Sequence, residues 1–158
     1  MGFQIGDKVI HWNYGLGEIR QMDEKIIHDR QRDCYIVSCG DLMIWVPIDD
    51  AGQCSLRPPT PADEFNHLFD ILKSPGEPLP EDRAERRLQL LDKLKEGSLA
   101  TVCHLVRDLS GFGQDKKLND QERSILQRAK NFLLAEWVFS LSVPLHQAQQ
   151  EMGQLLEA

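Results

Sequence analysis

The order of hydrophobic and polar residues divides this chain into a β-type first part and an α-type second part. Residues 34–48 contain two runs rich in β-branched and aromatic side chains, one on each side of Gly40-Asp41. Because Gly-Asp favours a tight turn, this pattern predicts a β-hairpin. Further towards the N-terminus, Gly6-Asp7 predicts a turn, and Gly15 and Gly17 predict a bend, since glycine tolerates positive φ and close backbone approach. The first part is therefore predicted to be a small β-barrel.

Helical periodicity follows in the second part and predicts five helices. They cover residues 62–73 and 81–96, a segment from the N-cap Ser98 to Gly111-Phe112-Gly113, a long segment from Asn119 or Asp120 to Pro144, and a final segment to about residue 156. In the second helix, Leu88, Leu91 and Leu94 are predicted to face inwards. In the fourth, Glu122 can return a capping-box hydrogen bond if Asn119 is the N-cap.

A run of prolines marks the boundary between the two parts. Pro58-Pro59-Thr60-Pro61 fixes backbone angles and removes hydrogen-bond donors at that point. We therefore predict an α+β protein with two domains, residues 1–59 and residues 60–158. The first is a small N-terminal β-barrel, and the second is a C-terminal all-α bundle of about five helices.

The charge balance limits the kinds of partner. The net charge is −7; residues 1–59 carry 6 basic and 9 acidic side chains, and residues 60–158 carry 12 and 16. Since both parts are net negative, neither is a general binder of nucleic acid, and any contact with DNA must use a local basic patch. No apolar run is long enough to span a bilayer and no signal peptide is visible, so we expect a cytoplasmic protein without a membrane partner.

Motifs of enzymes are missing from the sequence. The five histidines are scattered, and there is no serine nucleophile elbow, glycine-rich phosphate loop or metal-spaced His/Glu pair. The four cysteines include no Cys-x-x-Cys pair, which favours free buried thiols over a zinc site. We expect a protein that is not an enzyme and that takes no cofactor, metal or small-molecule substrate.

Two groups of residues are candidates for binding. Met43 and Trp45 alternate with the aliphatic residues of their strand, so they project outwards if the aliphatic face forms the core. Exposed Trp and Met concentrate at protein contacts, although Trp45 can equally cap a hydrophobic edge. Arg83, Arg86 and Arg87 form the densest basic cluster and can contact phosphates; the alternative is a solvated face paired with neighbouring acidic side chains.

The order of these motifs resembles the CarD/CdnL family of bacterial transcription regulators. The matching elements are the Phe3-x-x-Gly6-Asp7-x-Val9 start, the Gly15-x-Gly17 bend, Val46-Pro47, Leu56-Arg57, and similar segments at residues 93–98, 106–109 and 118–129. The resemblance covers nearly the whole chain. It implies a Tudor- or SH3-like barrel, a module shared with the RNA polymerase-interacting domain of the transcription-repair coupling factor.

The resemblance also implies partners and contact residues. In this family the barrel lies against a lobe of the RNA polymerase β subunit, and its two basic contact positions fall at Lys25, with Ile27 beside it, and at Trp45. Members that stabilise open promoter complexes insert a Trp into the minor groove, and that position holds Arg83 here. The predicted polymerase contacts are Lys25, Ile27, Met43 and Trp45, and the predicted DNA contacts are Arg83, Arg86, Arg87 and Arg123.

We therefore expect a transcription regulator that binds the polymerase β subunit through its barrel. Its helical domain would contact promoter DNA weakly, and only in the presence of polymerase, to modulate open-complex stability. The alternative is a protein-only adaptor whose helical domain recruits a protein partner, because the tryptophan wedge is missing and the charge is acidic.

Overall fold

A computed structural model describes residues 2–157 of the chain. The chain forms two compact units that divide between Pro59 and Thr60. The first unit contains only β-strands and the second only helices, which confirms the α+β class. Within residues 2–157, no helix is both long and apolar enough to cross a membrane.

The first unit is one five-stranded antiparallel sheet. Its strands are β1 (Lys8–His11), β2 (Gly15–Ile27), β3 (Arg30–Cys39), β4 (Leu42–Pro47) and β5 (Leu56–Arg57), in the order β4-β3-β2-β1-β5. A barrel requires its two edge strands to pair in a consistent register. Over the described residues β4 and β5 remain the two edges, so hydrogen bonds do not close the sheet into the predicted barrel.

The two hairpins of the sheet arise from different kinds of turn. The β3–β4 hairpin is the predicted one, with Gly40 in the turn at a φ of 59°. The β2–β3 hairpin turns at His28 and Asp29, whose φ angles are 50° and 60°. Two consecutive positive φ angles are typical of a type I′ turn, which usually contains glycine. The sequence gives no such signal at this point, so the length of β2 was not predicted.

The paired glycines near the start of β2 have the roles that the sequence predicts. Gly15 adopts a φ of 76°, in the left-handed region. A Cβ atom on Gly17 would lie 2.6 Å from Cys39 Sγ and 2.8 Å from Val37 Cγ1. One glycine is therefore required by its backbone angle, and the other by the close approach of β3.

One face of the sheet forms the core of the first unit. The buried side chains that share this face are Val9, Ile19, Tyr35, Val37, Cys39, Val46 and Leu56. Tyr35 also ties the N-terminal segment to the sheet, because its hydroxyl accepts a hydrogen bond of 2.9 Å from the backbone N–H of Phe3. Since side chains alternate along a strand, burial of Val46 directs Met43 and Trp45 to the opposite face.

The second unit contains five α-helices after a 3₁₀ turn at Ala62–Glu64. They are α1 (Phe65–Lys73), α2 (Arg83–Glu96), α3 (Leu99–Asp115), α4 (Asp120–Leu141) and α5 (Leu145–Glu157). Ser98 and Asn119 are the N-caps of α3 and α4, and Glu122 completes the capping box, as predicted.

The predicted end of α3 is wrong. The helix continues through Gly111 and Gly113 to Asp115. Each glycine costs about 1 kcal/mol of helix propensity, but Phe112 between them packs against the core of the helical unit. Burial of this aromatic side chain outweighs the local preference to stop.

The predicted inward face of α2 is also wrong in part. Leu94 is buried, but Leu88 is 64% exposed and Leu91 is 37% exposed. The buried side chains of α2 are Arg86, Leu90 and Leu94. A hydrophobic pattern cannot count a buried arginine as part of the inward face, and this is why the predicted face was rotated from the actual one.

The difference in burial between two leucines of neighbouring helices predicts a large difference in the stability that each contributes. Leu105 on α3 is fully buried and Leu88 on α2 is exposed. We expect Leu105→Ala to lower the free energy of unfolding by about 2–5 kcal/mol, because it leaves a cavity. Leu88→Ala should change it by less than about 0.5 kcal/mol. Urea denaturation measures both, and equal losses would contradict this arrangement of α2 and α3.

Candidate functional site

The first candidate surface is the sheet face opposite the core. Met43 and Trp45, on the edge strand β4, are 57% and 42% exposed. Trp45 pairs across the sheet with Ile36, and Ile36 pairs with Gln21 of β2. Because alternate residues of a strand share a face, Lys25 and Ile27 lie on the same face as Trp45. The register therefore places all four predicted polymerase contacts on one side of the sheet.

Two of these residues are in direct contact. The Nζ atom of Lys25 lies 5.4 Å from the centroid of the Trp45 ring, which is within the range of a cation–π interaction. Lys25 thereby reaches from β2 across β3 to the edge strand. Ile27, the last residue of β2, is half-buried. The result is an exposed surface with a large aromatic ring and a cation held against it.

The second candidate surface surrounds the start of α2. Arg83 is the first residue of the helix and follows the N-cap Asp82, whose carboxylate accepts a 2.9 Å hydrogen bond from the backbone N–H of Glu85. Arg83 and Arg87 are exposed and lie one turn apart. The acidic neighbours Asp82 and Glu85 reduce the positive potential of this surface.

Arg86 occupies a different position from the one predicted for it. The side chain is buried, and its Nε donates a hydrogen bond of 2.5 Å to Glu122 Oε2. Its Nη1 donates to the backbone carbonyls of Pro80 and Glu81 at 3.0 and 3.1 Å, and the guanidinium lies 4.8 Å from the centroid of the Phe112 ring. Arg86 is 8% exposed and its Nε and Nη1 are engaged by these internal partners, so little of its guanidinium is accessible to a phosphate.

Glu122 is the partner that the sequence did not reveal. Its Oε1 accepts a 2.9 Å hydrogen bond from the backbone N–H of Asn119, within the capping box. Burial alone raises the pKa of Glu122. The bonds from Asn119 and Arg86, with the charges of Arg86 and Arg83, outweigh burial and hold the pKa below its ordinary value. Arg86 lies four residues before buried Leu90, and this spacing was the signal that it faces inwards.

Arg123 lies next to Glu122 but on the outside of α4. Its side chain is 52% exposed and pairs with Asp120, and its Nη1 donates a 2.6 Å hydrogen bond to the carbonyl of Leu118. An exposed ion pair of this kind contributes little to stability, so Arg123 can readily exchange Asp120 for another partner. Arg83, Arg87 and Arg123 are therefore the predicted DNA contacts that the fold leaves exposed.

The remaining candidates for chemistry are the cysteines and possible metal-binding groups of acidic and histidine side chains. Across residues 2–157, no three His, Cys, Asp or Glu side chains are arranged to hold a metal ion. The four cysteines are free thiols. Burial, with a smaller contribution from the charge of Glu136, raises the pKa of Cys103 to about 12, which makes this thiol a poor nucleophile.

The lowered pKa of Glu122 predicts a pH-dependent contribution to stability. A carboxylate whose folded-state pKa is depressed stabilises the fold above its unfolded-state pKa, here about 4.5, and loses that contribution as pH falls through the folded-state value. Near neutral pH, Glu122→Gln should cost about 3–5 kcal/mol because Arg86 is left buried without a counter-charge. Denaturant unfolding should show that the difference in free energy of unfolding between the wild type and Glu122→Gln becomes smaller below about pH 4.5. Asp92→Asn, an exposed change on α2, is the control. A difference between the wild type and Glu122→Gln that does not depend on pH would contradict the lowered pKa of Glu122.

Comparison with known proteins covers both units of the chain. Residues 3–59 match the family described as "CarD-like/TRCF RID domain", and residues 67–153 match "CarD, C-terminal domain". The Bacillus subtilis (strain 168) protein named "Putative transcription factor YdeB" is 29% identical over 140 residues, which cover 85% of this chain and 89% of that protein. The chain therefore belongs to the CarD-like family of transcription-associated regulators that interact with RNA polymerase.

Proposed function

We propose that the chain docks on the β subunit of RNA polymerase through the sheet face that carries Lys25, Ile27, Met43 and Trp45. From there its helical unit contacts promoter DNA weakly and modulates the stability of the open complex in the cytoplasm. The observation that carries this proposal is the exposed Lys25–Trp45 pair, because it lies within the segment that matches the RID domain.

The chemistry of the sheet face suits a protein partner. An exposed Trp and an exposed Met supply the apolar area that anchors contact centres. Lys25 is already held against the Trp45 ring, so less side-chain freedom is lost on binding. Trp45 also lies on an edge strand, where backbone groups are open to a partner. A polymerase surface with an apolar pocket beside a carboxylate would complement these features.

The DNA contact is proposed to be weak and dependent on polymerase. Arg83, Arg87 and Arg123 are three exposed cations in a unit with net negative charge, so free DNA should bind poorly at physiological salt. Docking on polymerase would raise the effective concentration of promoter DNA around them. An arginine can enter a narrow minor groove, but it lacks the apolar surface that unstacks a base step.

A second function is favoured by one observation on α2. Leu88 and Leu91 are exposed on its outer face, where a helix dedicated to DNA would carry cations. In this protein-only adaptor, the helical unit would recruit a protein instead of DNA. Binding of the polymerase-bound chain to a forked promoter fragment separates the two functions. If the helical unit contacts DNA, the chain should raise the affinity of polymerase for the fragment, and this gain should shrink as salt rises. An adaptor leaves the affinity of polymerase for the fragment unchanged.

Trp45→Ala tests the docking face. We expect it to weaken binding to the polymerase β lobe by about 2 kcal/mol, because it removes the central apolar anchor. Leu42→Ala is the matched control: Leu42 is on the same strand and 54% exposed, but its side chain points to the other face. Titration of labelled protein with the β lobe measures both. Unchanged binding by folded Trp45→Ala, or an equal loss with Leu42→Ala, would refute the assigned face.

Arg83→Trp tests the role of the start of α2. Restoring an apolar wedge should lengthen the lifetime of the open complex, with a gain of up to a few kcal/mol, the scale of unstacking one base step. The lifetime is measured on one promoter at equal occupancy of polymerase. Leu88→Trp, which adds the same side chain one turn and a half along α2, is the control. An unchanged or shorter lifetime with Arg83→Trp would favour the adaptor.

A further inference from the structure

A single guanidinium joins the segment before α2 to the N-terminus of α4. Arg86 Nη1 bonds the carbonyls of Pro80 and Glu81, which lead into the N-cap of α2, while Nε bonds Oε2 of Glu122. The other oxygen of Glu122 accepts the backbone N–H of Asn119, the N-cap of α4. The two helix starts therefore share one continuous set of hydrogen bonds.

The chain places an exposed arginine beside each end of this set. Arg83 is three residues before Arg86, and Arg123 directly follows Glu122. A buried ion pair is a poor source of stability compared with apolar packing, but it fixes one arrangement, because removing either partner leaves an uncompensated charge. The arrangement fixed here is that of the starts of α2 and α4, on which Arg83 and Arg123 lie.

We propose that Arg86 and Glu122 are positioning residues for the DNA contact. They do not touch DNA; they hold the starts of α2 and α4 so that Arg83 and Arg123 present their guanidinium groups at a spacing that phosphates of one promoter strand can meet. This inference rests on the proposed DNA contact and gives Arg86 a role other than direct phosphate binding.

Arg86→Lys separates positioning from direct contact. Lysine keeps the charge and binds phosphate well as a point charge, so a direct contact would survive. Its single nitrogen cannot reproduce the arginine fork, which here reaches Glu122 and two carbonyls. We expect Arg86→Lys to shorten the open-complex lifetime about three- to tenfold, within the range for coupled neighbours in one network. Arg128→Lys, the same change at an exposed arginine of α4 that is not among the proposed DNA contacts, should leave the lifetime unchanged.

Glu122→Gln sets positioning against simple electrostatics. It removes a negative charge beside the arginines, so the field alone predicts a longer lifetime. Positioning predicts a shorter lifetime, by about the same three- to tenfold factor as Arg86→Lys, and the double variant should lose no more than either single one. Glutamine can still cap Asn119, so the change is directed at Arg86.

Hydrogen exchange of the free protein supplies a measurement that needs no DNA. In Glu122→Gln, amides in the first turn of α2 should exchange faster by more than the global loss of stability accounts for, although the substitution is in α4. Amides of α3 should exchange faster only by the factor that this global loss predicts. If exchange in α2 is unaffected, if Arg86→Lys behaves as the wild type, or if Glu122→Gln lengthens the lifetime, the positioning role is wrong. An equal acceleration of exchange in α2 and α3 would overturn it too, since the variant would then act only by lowering the stability of the whole helical unit. If the coupling appears but the wild type has no effect on open complexes, the proposed DNA contact fails and the positioning role falls with it.

Discussion

The arrangement of α2 and α4 in the helical unit depends on the buried ion pair between Arg86 and Glu122. Moving Arg86 and Glu122 out of water costs several kcal/mol for each ion, and their mutual attraction offsets this only if their remaining hydrogen-bonding groups find partners. Both do: the carboxylate also caps α4, and the guanidinium also bonds two carbonyls. These further hydrogen bonds to the backbone offset part of the cost of burying the two ions.

The connection between α1 and α2 shows the same use of buried charge. Residues 74–82 form neither helix nor strand, so their backbone groups need other partners. Asp108 of α3, which is buried and paired with Arg107, accepts the backbone N–H of Glu77 at 2.8 Å. Arg86 bonds the carbonyls at the other end of the segment. Charged side chains from the helices thus hold this irregular segment in one conformation, and this fixes the position at which α2 begins.

Features set by local rules could be predicted from the sequence, and features set by distant contacts could not. The Gly40 turn and the caps at Ser98 and Asn119 each depend on a few adjacent residues, and the structure confirms them. The turn at His28-Asp29 lacks glycine, and its positive φ angles are imposed by pairing along the whole hairpin. The continuation of α3 through two glycines depends on packing against the core, which a window of sequence does not contain.

The same distinction between local rules and distant contacts applies to the candidate sites. Alternation along β4 is local, so it correctly directs Met43 and Trp45 away from the core. The approach of Lys25 to Trp45 depends on the register of three strands, and no spacing in the sequence reveals it. The burial of Arg86 is the clearest feature that the sequence did not reveal. Three arginines in five residues read as one basic surface, and only the partner on α4, 36 residues away, turns one of them inwards.

The two proposed binding surfaces of this acidic chain depend on different interactions. The sheet face carries the exposed apolar side chains of Met43 and Trp45, with Lys25 held on the Trp45 ring, and apolar anchors of this kind can bind a protein without a strong electrostatic field. Exposed arginines scattered among carboxylates gain little from long-range attraction, so any contact they make with DNA depends on where they are held. Since three cations cannot compensate for poor geometry by number, the position of each one matters more than in a basic protein. In our proposal, the buried Arg86–Glu122 pair between the two helix starts supplies this positioning.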